Sequence, residues 1–131
     1  MKNEELIDLA KKHINNSYSK YSNYQVSAAL LCKNGNVYIG VNVENAGIQS
    51  ICAERNAFCC AISDGQREFE KIAIVGRKKN GEFELTLPCG YCRQFMYEFC
   101  SDDFKIVVSD EKNSSIKEYN LLELLPNTFK M

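Results

Sequence analysis

Two cysteine clusters, Cys52-Ala53-Glu54-Arg55 and Pro88-Cys89-Gly90-Tyr91-Cys92-Arg93-Gln94, limit what this chain can fold into more than any other feature. They are distant in the chain, so a fold that uses both must bring the starts of two segments to one point. Each cluster reads as a helix beginning. From Cys52 to about Ser63 the chain is rich in Ala, with Phe58 and Ile62 keeping it apolar nearly all round, and Asp64-Gly65 offers a left-handed C-cap. Behind Pro88, residues Cys92, Phe95, Met96, Phe99 and Cys100 recur at helical spacing. Cys89 and Cys92, three apart at a helix start, project from neighbouring positions and can share a metal, with Cys52 as a third thiolate. Three sulfur ligands leave the fourth tetrahedral corner of a zinc ion open to water, which is the pattern of a hydrolytic centre. Thiolates at helix N-termini also gain from free backbone N–H groups and the positive dipole end.

Two neighbours of Cys52 complete this chemistry. Glu54 lies in the same first turn, offset around the helix, where a carboxylate suits a proton shuttle better than a fourth ligand. Three thiolates on a divalent ion leave net negative charge, which weakens its power to acidify water unless a cation compensates. Arg55, three residues after Cys52 on the same helical face, is placed to donate to that sulfur.

The rest of the chain frames one α/β domain over residues 1–131. A first helix is expected after Asn3 as N-cap, with Leu6, Leu9, Ala10, His13 and Ile14 facing inward. His13, the one histidine, falls on that apolar stripe and reads as a packed or hydrogen-bonded side chain. Residues 26 to 32 and 36 to 41 flank Lys33-Asn34-Gly35 and form an antiparallel hairpin. Runs rich in branched residues at 71 to 75 and 104 to 108, with the second cysteine helix between them, form a strand-helix-strand unit and hence a partly parallel sheet. The segment from Ser114 to Tyr119 adds an edge strand, and Leu121 to Leu125 a short helix ended by Pro126.

Charge excludes some functions. Sixteen basic residues against seventeen acidic give a net charge of -1, so no footprint for a nucleic-acid backbone or an anionic membrane is visible. Arg77-Lys78-Lys79 precedes Asn80-Gly81 and reads as a solvated turn. Seven cysteines are an odd number, and Met1-Lys2-Asn3-Glu4-Glu5 lacks the apolar core of a signal peptide, so reduced thiols in the cytoplasm are expected. Cys32, Cys59, Cys60 and Cys100 read as small buried hydrophobes. The expected partner is a small molecule.

These motifs resemble the zinc signature of the small, homotetrameric cytidine deaminases. Asn42-Val43-Glu44-Asn45-Ala46 resembles that family's nucleoside-binding stretch and Leu124-Leu125-Pro126-Asn127-Thr128-Phe129 its C-terminal segment, so the likeness runs from about Tyr21 to Phe129. It implies a three-layer α/β/α sandwich around a five-stranded mixed sheet, one zinc per chain, and active sites shared across subunits of a homotetramer. It also implies hydrolytic deamination of cytidine and deoxycytidine, with Glu54 catalytic and Cys52, Cys89 and Cys92 holding zinc. Asn42 and Glu44 would then bind ribose, Tyr24 would line the base pocket, Ala53 would contact substrate, and Phe129 would reach a neighbouring subunit's site.

The chain departs from the family pattern at Lys20, Tyr24, Gln25 and Ser27, where Pro, Phe, Pro and Gly are usual. Residues 45 to 52 run one residue short, with Ile48 where an aromatic commonly sits. Blasticidin S deaminases share the zinc motifs and differ in this loop, which makes them the alternative, although they lack the arginine matching Arg55 and the Asn-Val-Glu-Asn run. A closed four-cysteine structural zinc leaves Glu54 unexplained, and a dithiol redox pair at Cys89 and Cys92 leaves Cys52, Glu54 and Arg55 unexplained. A polynucleotide deaminase would carry a basic or stacking surface that this near-neutral chain lacks.

Overall fold

Alternation of side chains along the strands sorts the core into two layers, as a period of two requires. The computed structural model describes residues 1–113 and 115–131. In β1 (Tyr24–Cys32), Ala28, Leu30 and Cys32 face one way and Ala29 and Leu31 the other, and all five are buried. Strand β1 pairs antiparallel with β2 (Val37–Val41) across a turn in which Gly35 takes φ +95°, a conformation glycine adopts without penalty. On its other side β1 pairs antiparallel with β3 (Phe69–Lys78). A fourth strand, β4 (Phe83–Glu84), and β5 (Lys105–Asp110) share the far edge of β3, the first antiparallel and the second parallel. Strand β6 (Ser115–Asn120) closes that side antiparallel to β5, giving the order β2-β1-β3-β5-β6 with β4 attached to β3.

The expected mixed sheet is therefore present, with a sixth, two-residue strand in addition to the five expected. Strand β4 also corrects the solvated turn assigned to Arg77-Lys78-Lys79, because Arg77 and Lys78 belong to β3 and the turn follows them at Asn80. The Arg77 guanidinium lies 5.0 Å from the centre of the Phe83 ring and donates to Gln25 and Asn15. Of the expected edge strand, Ser114 lies outside the described residues and the remainder is β6.

Helix α1 (Asn3–Lys12) covers one face of the sheet, burying Leu6, Ile7 and Ala10 against Ala29, Leu31, Ala73, Val75 and Val107. Its N-cap is Lys2 rather than Asn3. The Lys2 backbone N–H donates to the Glu5 carboxylate, while Asn3 is drawn away to Lys71 and Glu118. His13 sits half-buried with Nδ1 2.9 Å from the Leu9 carbonyl oxygen. Helices α2 (Ala53–Ser63) and α3 (Gly90–Phe99) cover the other face, where Phe58 meets the rings of Phe69, Phe95, Phe99 and Phe104. Short α4 (Leu121–Leu124) anchors to the same layer through buried Leu121 and ends before Pro126.

Helix α2 is not apolar all round. Cys59 and Cys60 are exposed, so the expectation that they are buried hydrophobes fails, whereas Cys32 is buried and Cys100 half-buried. The inner side of α2 lies very close to β2. A Cβ on Gly40 would stand 2.3 Å from the Ala57 backbone nitrogen and 2.4 Å from the Ala53 carbonyl oxygen, so only glycine lets helix and strand approach this far. Among the described residues, no helix is long and apolar enough to cross a membrane.

Candidate metal centre and active site

The crossover β3–α3–β5 and the close contact of α2 with β2 bring the N-termini of α2 and α3 together on one layer. Cys52 is the N-cap of α2 and Cys89 the N-cap of α3, positions where Ser, Thr, Asp or Asn usually supply the capping oxygen. The Cys89 sulfur accepts from the Cys92 backbone N–H at 3.4 Å, whereas Cys52 makes no side-chain cap. The two sulfurs also turn toward each other.

The sulfurs of Cys52, Cys89 and Cys92 lie within 4.8 Å of one another, the one such cluster among the described residues. Cys52 to Cys89 measures 3.9 Å and Cys89 to Cys92 3.5 Å. A tetrahedron built on Zn–S bonds of ~2.3 Å has edges of ~3.8 Å, so the donor set fits zinc in number, softness and spacing. Among the described residues no fourth cysteine joins the three, which disfavours the closed structural site. Hydrogen bonds from Cys92 and then from Arg55 hold the Cys52 thiol well below its usual range against the opposing effect of burial, while the Cys92 thiol is pushed up by that same bond to Cys52 and by burial. Packed sulfurs of this kind resist all being ionised together unless a cation joins them.

Arg55 stands where the sequence expects it. Its Nη2 donates to the Cys52 sulfur at 3.6 Å, and its guanidinium carbon lies 4.2 Å from the centre of the Tyr91 ring. Burial opposes its charge, yet the sulfurs of Cys52 and Cys92 hold it more firmly protonated than usual. Glu54 is 4% exposed. Burial pushes its carboxyl up to about 7, with the Cys52 charge adding to the rise and hydrogen bonds from its own backbone N–H and from Cys92 opposing it.

A cavity of about 320 Å³ opens beside the cluster and brings Tyr24, Asn42, Glu44, Ala53 and Glu54 together with Cys52 and Cys89. Four of the five side chains expected to touch substrate thus line one cleft with the expected shuttle. Thr86, Leu87 and Ile51, with Val26 and Ser50, complete its wall and were not expected there. They carry no motif of their own, and only their closeness in sequence to Tyr24, Cys52 or Pro88 hints at the placement. The Tyr24 hydroxyl lies 2.9 Å from Thr86 Oγ1. Asn42 is more than a lining residue: its Oδ1 accepts from the Val26 N–H at 2.9 Å and from the Ser17 hydroxyl, and its Nδ2 donates to the Tyr24 carbonyl at 2.9 Å. The Ser22 hydroxyl, and then the backbone N–H groups of Ser22 and Tyr21, hold Glu44 ionised below the usual carboxylate range.

Phe129 lies outside this cleft. It is exposed and lines a separate groove of about 690 Å³ along α3, where its carbonyl oxygen accepts from Gln94 Nε2 at 3.0 Å. Ile48, at the rim of the short loop, is 98% exposed.

A family model described as the cytidine and deoxycytidylate deaminase zinc-binding region matches residues 1–108. The chain belongs to this deaminase family. Among relatives of this zinc-binding deaminase, a cytidine deaminase of Sporosarcina psychrophila is 39% identical over 127 residues, covering 96% of this chain and 90% of that protein. A blasticidin-S deaminase of Bacillus cereus is 29% identical over 127 residues, covering 93% and 88%. The crystal structure of cytidine deaminase from Burkholderia pseudomallei superposes with a TM-score of 0.88 at 36% identity, covering 98% of this deaminase and 100% of that chain.

Proposed function

We propose that this chain hydrolyses cytidine and deoxycytidine to uridine and deoxyuridine, releasing ammonia, in pyrimidine salvage in the cytoplasm. The observation that carries this reading is the buried carboxylate of Glu54 against a three-sulfur cluster, in a cleft that also holds Tyr24, Asn42, Glu44 and Ala53. Cys52, Cys89 and Cys92 hold one zinc per chain, which when bound supplies a Lewis acid that lowers the pKa of a water from near 15.7 to ~7.

The chain's own residues do the rest. Tyr24 and Ala53 line the place of the pyrimidine ring, and Glu44 and Asn42 face the sugar, where a carboxylate acceptor and an amide suit hydroxyl groups. Glu54 accepts the proton of the attacking water as its oxygen bonds to C4 of the ring, and delivers that proton to N3. Glu54 then carries the remaining hydroxyl proton to the 4-amino nitrogen, the C4–N bond breaks, and ammonia leaves with the carbonyl formed at C4. Arg55 offsets the negative charge of the sulfurs, so they draw less on the acidity of the centre.

Residues 1–131 act as one catalytic domain and assemble as a homotetramer in which Phe129 completes a neighbour's cleft. Its exposure and its place outside the cleft of its own chain are in keeping with that role. Deleting the residues from Leu125 onward is expected to raise KM or dissociate the tetramer while leaving zinc bound. A fully active, tetrameric truncation refutes this part.

The deciding test follows the ultraviolet absorbance of cytidine, deoxycytidine, free cytosine and blasticidin S in parallel with the zinc-loaded protein. Turnover of the first two is expected. Turnover of blasticidin S alone replaces the reading with the antibiotic aminohydrolase, which the short loop around exposed Ile48 and the Bacillus cereus relative favour.

A further inference from the structure

Tyr91 is one of the two residues between the ligands of the second motif, in the first turn of α3, and the proposed mechanism gives it nothing to do. Its side chain does not fill the core, since Tyr91 is 67% exposed. One contact stands out: its ring face meets the Arg55 guanidinium at 4.2 Å, and Arg55 in turn donates to the Cys52 sulfur at 3.6 Å. Ring, guanidinium and thiol thus form a brace between the first turns of the two helices that supply all three sulfurs.

Arg55 depends on this brace. A guanidinium offers five N–H donors in a rigid fork and is oriented most firmly when two of them reach one acceptor. Here Nε is buried without a hydrogen-bond partner among the described residues, and the bond that Nη2 makes to the Cys52 sulfur is long at 3.6 Å, so it does not by itself fix the plane of the group. Sulfur is also a diffuse acceptor with weak directional preference. The flat face of Tyr91 supplies the missing orientation, because a cation over an aromatic ring is held against it and stacks parallel most readily when it is the planar guanidinium.

We propose that Tyr91 is a positioning residue for the metal centre: it holds the Arg55 guanidinium against the Cys52 sulfur, and through Arg55 it sets how tightly the three cysteines retain their metal. The proposal rests on the reading of the three cysteines as a zinc site, and it adds a role that depends on ring shape and not on the phenol hydroxyl. Loss of a partner that orients a metal ligand typically weakens affinity ~10- to 100-fold, which bounds the Arg55 effect. An exposed to partly desolvated cation–π contact corresponds to ~2- to 30-fold, which is the share expected for Tyr91.

The test uses the zinc-loaded full chain and a colorimetric chelator, measuring the equilibrium and rate of zinc transfer for Tyr91→Phe, Tyr91→Leu, Arg55→Gln and the double variant. Tyr91→Phe is expected to match the wild type, while Tyr91→Leu loses zinc ~2- to 30-fold more readily. In the Arg55→Gln background Tyr91→Leu is expected to change nothing further, since its effect acts only through the arginine. Cobalt substitution gives an independent readout, with the sulfur-to-cobalt charge-transfer band of Tyr91→Leu moving toward that of Arg55→Gln and the band of Tyr91→Phe staying in place. Equal zinc retention by Tyr91→Leu and wild type overturns the proposal, as does a full additional loss in the double variant. If Tyr91→Phe behaves like Tyr91→Leu, the hydroxyl acts and the ring-face argument fails. A wild type that holds no zinc overturns both this proposal and the metal-site reading, whereas normal zinc binding with unaffected variants overturns this proposal alone.

Discussion

Helix α1 and the pair α2/α3 cover opposite faces of the same sheet and use their ends in opposite ways. Helix α1 follows the rules of local stability: Glu4 and Glu5 in its first turn, Lys11 and Lys12 in its last, the Lys2 N–H capped by Glu5, and Lys11 paired with Glu111. Helix α2 has no side-chain cap, and α3 is capped by a sulfur. Those N-termini are given to the cleft, and packing around Phe58 and the close seat on Gly40 hold the helices instead. One face thus insulates while the other delivers reactive groups.

Substitutions on the two faces should separate these roles. The largest effect is expected for Glu54→Gln, which leaves packing intact and lowers cytidine turnover by at least ~10² to 10⁴ while zinc content stays normal. Near-normal turnover would end the shuttle assignment. Leu6→Ala strikes the insulating face: it is expected to cost ~2 to 5 kcal/mol and lower Tm in a thermal melt, with kcat per folded molecule unchanged. A kcat that falls with Tm would show that the two faces are not independent. Gly40→Ala adds one methyl group between β2 and α2 and is expected to cost ~1 to 3 kcal/mol. Unlike Leu6→Ala, it should loosen zinc retention and lower kcat, because the displaced element carries Cys52 and Glu54. The smallest change is expected for Tyr24→Phe. It removes the hydroxyl that meets Thr86, worth ~1 kcal/mol, and should appear as a KM change below ~10-fold with kcat preserved.

Much of the cleft was legible in sequence because its chemistry is written in short local motifs. Cys89 and Cys92 share a helix start whatever the rest of the chain does, and Arg55 follows Cys52 by one helical turn. Strand β4 escaped because two residues carry no period; Phe83 and Glu84 are a strand only through pairing with Gly76 and Arg77. Arg77 itself reads as solvent-exposed by charge, yet its guanidinium lies over the Phe83 ring, which only the folded chain supplies. Cys59 and Cys60 escaped for the opposite reason. Hydrophobicity placed them inside, but a helix lying on a sheet always turns one side outward, and the inner side was already filled by Ala53, Ala57, Phe58 and Ala61. The anchoring bonds of Asn42 join Ser17, Tyr24 and Val26, a long-range convergence invisible to local pattern.

The central position of β3 orders events in time. The hairpin of β1 and β2 needs only neighbouring residues, but the sulfur of Cys52 cannot meet those of Cys89 and Cys92 until β3 has docked on β1 and the parallel crossover to β5 has formed, which are slow, non-local steps. During refolding from denaturant, helical signal should return early and the capacity to capture metal late.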